Sequence, residues 1–122
     1  MINEAILCLA IASFKEARSE PIKAQYAVME VIHNRSEHPD YPNSYCGVVK
    51  QQGQFSWFKN HGSLKPPKYE LDAWKKSLEI AKMFKTKKTN YTKGAKYFNT
   101  VSLGVRYKTN VSPKRIGQQV FY

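Results

Sequence analysis

The chain has 122 residues, with 20 lysines and arginines against nine aspartates and glutamates, for a formal net charge of +11. This length suits a single domain over 1–122 with a core of its own, and no run approaches the roughly 18 consecutive apolar residues that cross a bilayer. The surplus positive charge draws the chain toward polyanions, whether nucleic acid, an anionic membrane or an anionic wall polymer, without choosing among them.

The first predicted element is a helix over residues 3–17. Ala5, Ile6, Leu9, Ala10, Ser13 and Ala17 share one face while Leu7, Ile11 and Phe14 widen the apolar side, so this helix should be largely buried. Its run AILCLAIA has the apolarity of a signal peptide's hydrophobic part. Glu4 precedes it, however, no basic segment comes before it, and the helical pattern continues, so it reads as core in a protein made in the cytoplasm without a signal peptide. Cys8 and Cys46 lack the dense pattern of a disulfide-stapled secreted domain and are expected to be free buried thiols.

A second amphipathic helix follows Pro21 through IKAQYAVMEVIHNR, with Ala24, Ala27, Val28, Val31, Ile32 and Arg35 at steps of three and four. Residues 36–69 are rich in Pro and Gly and should be mostly loop, with one short helical turn around GVVKQ. A third long helix is signalled by ELDAWKKSLEIAKMF, and AKYFN, GVRYK and QQVFY alternate as short strands do. Lys82, Lys85, Lys87, Lys88, Lys93 and Lys96 form a basic stretch.

Glu16 bears the sharpest chemistry. A carboxyl group at the end of a buried helix beside aromatic rings loses hydration, which favours its protonated form and equips it as a general acid. Glycosidic cleavage needs such an acid, because the leaving oxygen must be protonated as the bond breaks. On spacing alone the plainer reading is a solvated turn carrying Glu16 and Glu20 four apart, or a Glu16–Arg18 pair.

KEARSEP, AQYAVMEVIHNR, YPNSYCGVVKQQGQFSWF, AKYFNT and IGQQVFY occur in that order, and together the sequence resembles the catalytic domain of the spore-cortex-lytic, SleB-type cell-wall hydrolases. The resemblance covers nearly the whole chain. It implies an α+β fold related to lysozymes and lytic transglycosylases, mainly helical with a small β-sheet, acting on peptidoglycan without metal or cofactor. The catalytic glutamate of that family falls on Glu16. In a lytic transglycosylase one acid protonates the oxygen between N-acetylmuramic acid and N-acetylglucosamine, then accepts the proton of the muramic acid's own C6 hydroxyl as a 1,6-anhydro ring closes. A hydrolysing muramidase, the alternative on the same fold, would usually need a second carboxylate at about 5 Å or about 6.5–9.5 Å. Glu20, Glu30 and Asp40 are the candidates for it.

The resemblance also implies substrate-binding residues. Gln54, Phe55, Ser56 and Trp57 combine an amide, a hydroxyl and two rings, a mixture suited to a sugar cleft, although Phe55 and Trp57 serve equally well as core plugs. Tyr97 and Asn99 share a face if KYFN is a strand, placed to orient Glu16 and the substrate's acetamido group, and Tyr122 joins the cleft or packs at an edge. Where the family usually ends IGxHxFY, this chain has Gln119, which keeps one hydrogen bond of a neutral imidazole in a supporting role. Arg18 offers itself to position Glu16 or to bind a peptide-stem carboxylate, and reads rather as a charge favourable to the helix dipole, while His33, His38 and His61 lack a metal-binding spacing.

The expected partners are bacterial peptidoglycan and anionic wall polymers, the latter attracted by the lysines, with no specific nucleic acid. The expected setting is a monomeric phage lysin acting on the cell wall. The rival from another class is a nucleic-acid-binding module that uses Lys82 to Arg115 with Tyr91, Tyr97 and Phe98 as stacking platforms. It leaves KEARSEP and GQFSW without a purpose.

Overall fold

A computed structural model describes residues 3–51 and 67–122. Helix α1 spans Glu4–Ala17, opened by Asn3, whose Oδ1 accepts from Ile6 N at 2.9 Å. Every residue from Cys8 to Phe14 on it is buried, as an apolar run too wide for one stripe requires. Helix α2, Ile22–Ser36, starts directly after Pro21, whose fixed φ suits a helix entry. The turn expected around GVVKQ is helix α3, Tyr45–Lys50, with Ser44 Oγ accepting from Gly47 N at 3.0 Å. Helix α4, Leu71–Thr86, lays Trp74, Ile80, Ala81 and Phe84 inward, and Trp74 meets Phe14 edge to face at 5.9 Å. The core lies where α2, α3 and α4 surround α1.

The cysteines differ from expectation. Cys8 and Cys46 form a disulfide, so neither is a free thiol. Packing α3 on α1 brings their Cα atoms to 5.3 Å, inside the range that a bridge spans. Sequence spacing carries no trace of that approach. Glu4 also lies beside the two sulfurs, but sulfurs bonded to each other offer no thiolate to a metal.

Past α4 the chain runs through polar turns into a small antiparallel sheet of order β1-β3-β2: β1 Phe98–Thr100, β2 Lys114–Ile116 and β3 Gln119–Phe121. KYFN and QQVFY supply strands, as expected, and pair Phe98 with Phe121 and Thr100 with Gln119. GVRYK is not a strand. The chain turns back before it, Gly104 (φ +67) donating its N–H to Thr100 O at 3.0 Å, and the Arg106 N–H goes to the Tyr122 hydroxyl at 3.1 Å. KRI takes the edge position instead, joined to β3 by the two-residue turn Gly117-Gln118. Gly117 has φ +63, as a tight hairpin demands of its first turn residue.

Candidate active site

Glu16 occupies the last turn of α1 and is partly buried. The final carbonyls of a helix have no partner within it. Here the carbonyl of Glu16 itself accepts from Gln119 Nε2 at 3.0 Å, and Gln119 is 6% exposed. One residue earlier, Gln118 N donates to Glu20 Oε1 at 2.7 Å. A Cβ on Gly117 would collide with Glu20 Oε1 and sit 2.9 Å from Pro21 Cδ. The β2–β3 hairpin thus donates both of the bonds that latch it to the end of α1 and to Glu20 just beyond.

Arg18 does more than complement the helix dipole. Its guanidinium lies 4.9 Å over the Phe14 ring, Nη1 donates to Phe14 O at 3.3 Å, and Nε pairs with Glu70 Oε2 at 2.7 Å. Glu70 adopts φ 51 just ahead of α4, so this pair ties the end of α1 to the start of α4.

The carboxylates considered as partners for Glu16 are engaged elsewhere. Glu30, 2% exposed, accepts from Thr89 Oγ1 (2.5 Å), Tyr91 N (2.9 Å) and Thr92 N (2.9 Å). Glu20 holds Gln118. Asp40 is exposed and sits 3.7 Å from His38 Nδ1.

Tyr97, Asn99 and Tyr122 come together around one cavity of about 360 Å³, lined also by Arg35, Tyr41 and Arg106. Tyr97 and Tyr122 are stacked at 5.6 Å. Asn99 Nδ2 donates to Tyr122 Oη at 2.9 Å and to Gly104 O at 3.1 Å. Burial raises the Tyr41 phenol above its ordinary pKa, helped by its hydrogen bond to the Tyr97 hydroxyl at 3.5 Å. Sequence reasoning missed Arg35 and Arg106. The first had a signal, since Arg35 stands among the apolar positions of α2, where an unsupported cation would be costly. The second had none. Gln54, Phe55, Ser56 and Trp57 lie outside the described residues.

The rings named for nucleic-acid stacking belong to separate clusters. Tyr91 sits with Tyr26, Tyr97 with Tyr107 and Tyr122, and Phe98 stacks on Phe121 at 5.7 Å against the core.

Residues 19–122 match the model of the cell wall hydrolases, and the chain belongs to that family. The matched span begins three residues after Glu16. Comparison of structures extends the likeness over α1. The catalytic domain of the germination-specific lytic transglycosylase SleB from Bacillus anthracis matches with a TM-score of 0.72 at 25% identity, covering 99% of this chain and 95% of that one. The catalytic domain of Bacillus cereus SleB has the same fold, with a TM-score of 0.67 at 23% identity over 99% of this chain and 91% of that one. The spore cortex-lytic enzyme of Bacillus subtilis is 47% identical over 47 residues, a stretch that takes in 38% of this chain and 15% of that protein. The expected α+β architecture, helices with a small sheet, is therefore the one this family uses.

Proposed function

We propose that the chain cleaves the glycan strands of bacterial peptidoglycan between N-acetylmuramic acid and N-acetylglucosamine as a lytic transglycosylase, with Glu16 as its acid and then its base. The observation that carries this reading is the placement of Glu16: a partly buried carboxylate ending the buried helix α1, its own main chain held by Gln119, in a fold shared with a lytic transglycosylase domain. The Glu16 carboxyl gives its proton to the glycosidic oxygen as the bond to the muramic acid C1 breaks. Its carboxylate then takes the proton of the C6 hydroxyl, whose oxygen bonds to C1 and closes the anhydro ring. Neither water nor a second carboxylate enters.

That economy suits this chain, because Glu20 and Glu30 are committed to structural hydrogen bonds. Tyr97, Asn99 and Tyr122 are read as substrate-binding residues, together with Gln54, Phe55, Ser56 and Trp57. The enzyme is placed at the bacterial cell wall, in the manner of a phage lysin. The net charge of +11 serves as attraction to anionic wall polymers that weakens with salt. A Cys8–Cys46 bridge suits work in an oxidising setting.

The test is mass spectrometry of the soluble fragments released from purified peptidoglycan. Anhydro-muramic ends from the wild type, and a loss of release of about 100-fold or more in Glu16→Gln, are expected. Hydrated ends would make the enzyme a muramidase. Equal release by both proteins would remove Glu16 from the chemistry.

A further inference from the structure

The cavity beside the stacked Tyr97–Tyr122 pair has an unbalanced inventory of hydrogen-bonding groups. A phenol offers one donor and two acceptor positions. Tyr122, 1% exposed, accepts from Asn99 Nδ2 at 2.9 Å and from Arg106 N at 3.1 Å. Its acceptor capacity is used and its own O–H is left to donate. Arg35 and Arg106 also line this space, and among the described residues that line it there is no aspartate or glutamate. The Arg35 guanidinium is aligned over the rings of Tyr41 at 5.4 Å and Tyr97 at 5.8 Å, with Nε donating to Lys96 O at 2.7 Å. The described wall thus combines two cationic residues and the Tyr122 O–H with no acidic side chain.

Asn99 adds an acceptor. Both of its amide-nitrogen bonds go to protein oxygens, which orients Oδ1 as an acceptor. A ligand matching this cavity presents a carboxylate to the guanidinium groups and the Tyr122 hydroxyl, and an amide N–H to Asn99. Charge-assisted bonds to arginine are the strong ones in such a site.

We infer that this cavity binds the peptide stem of the glycan strand, holding a stem carboxylate between Arg35, Arg106 and the Tyr122 O–H and a stem amide on Asn99 Oδ1. The inference rests on peptidoglycan as the substrate. It makes the cavity a determinant of which strands are recognised, namely those that carry an acidic peptide on the muramic acid.

The test is calorimetric titration of the intact protein with the soluble muropeptide N-acetylmuramyl-L-alanyl-D-isoglutamine, beside the same compound with its carboxylate methylated and beside glycerol phosphate. The muropeptide should bind, and its methyl ester should bind roughly tenfold more weakly, the loss of one charge-assisted contact. Arg106→Ala should cost the muropeptide a similar factor and leave the ester unchanged. Tyr122→Phe should do the same, and because it also strips an acceptor from Asn99 and Arg106, the exposed Arg106 is the variant that decides if Tyr122→Phe unfolds. Equal binding of muropeptide and ester, or insensitivity to Arg106→Ala, overturns the inference. So does tighter binding of glycerol phosphate, which would assign the cavity to a phosphate-bearing wall polymer. Binding is read without cleavage: a protein that binds the muropeptide but releases no anhydro ends fails only the catalytic reading, and one that cleaves but ignores the carboxylate fails only this one.

Discussion

The helical part of the molecule and its C-terminal part from residue 87 onward are held together by different physics. In the first, α1 is buried almost all round by α2, α3 and α4, and the contacts are Leu9, Ile11, Phe14, Val28, Met29, Ile32, Trp74 and Phe84 against one another. In the second, three strands of three residues each add only Ile116 and Phe121 to the buried apolar core, and named polar side chains tie down the loop before them. Glu30 receives Thr89, Tyr91 and Thr92, Asn34 Nδ2 donates to Ala95 O at 2.8 Å, and Arg35 Nε donates to Lys96 O at 2.7 Å. A single face of α2 thus bolts down successive peptide groups of the loop leading to β1. Apolar packing is non-directional and tolerates small shifts, whereas a bolted loop stands or falls with each bond. The cavity proposed to bind peptide stems lies in the bolted part, and Glu16 lies at the seam.

The contrast can be broken from either side. Reducing the disulfide, which closes a 38-residue separation, should cost the helical part about 3–4 kcal/mol. Chemical denaturation with and without reductant measures it, and an unchanged midpoint would mean that packing alone holds α3 on α1. Glu30→Gln attacks the bolted part. An amide keeps one acceptor but turns a donor toward donors, at a cost of about 3 kcal/mol. Hydrogen exchange should show residues 89–96 opening while α1 stays protected, and uniform loosening would erase the distinction between the parts.

Gly117→Ala tests the latch itself. It combines a left-handed φ of +63 with a collision against Glu20, so about 2 kcal/mol is expected. Gly104→Ala, at φ +67 with no atom of the described residues closer than 4.0 Å to the new Cβ, should lose about 1 kcal/mol from backbone strain alone. Equal losses would show that the latch is not tight.

The smallest effect is in pH. Burial holds the His33 imidazole below its ordinary pKa, with Lys88 adding to the shift and Glu37 and Glu30 opposing it. The unfolded chain therefore takes up its proton first. Stability is flat above about pH 7, declines as pH falls through the ordinary histidine value of about 6.5 and levels off below the folded value. Melting temperatures of the wild type and His33→Gln between pH 7.5 and 5 should differ most at the alkaline end, and the wild type should decline more with acid, so that the gap narrows. Parallel curves would mean that folding leaves the His33 imidazole at its ordinary pKa, its burial offset by the bond to the Tyr45 hydroxyl at 2.9 Å and by the nearby carboxylates.

Much of the frame was readable from local pattern. The helices α1, α2 and α4 follow from apolar residues at three- and four-residue steps, and β1 and β3 from alternation in KYFN and QQVFY. GVRYK alternates as well, yet it pairs with no described strand, the chain having turned over residues 100–104, closed by the Gly104 N–H on Thr100 O. KRI carries no alternation, and becomes a strand only because Gly117 folds it onto β3. Glu16 stood out by motif. Its hydrogen-bonded neighbour Gln119 stood out too, as a departure from the expected ending, but the bond between them joins residues 103 positions apart.

The sequence by itself determined which segments become helices, the overall cationic character and the carboxylate at the end of α1, because periodicity and composition act within a few residues of each position. Only the tertiary structure decided the Cys8–Cys46 bridge, the engagement of Glu20 and Glu30 in scaffolding, and the gathering of Arg35, Asn99, Arg106 and Tyr122 around one cavity. Those contacts depend on side chains brought within hydrogen-bond reach by packing, and that distance is set by how α1, α2 and the sheet bury one another.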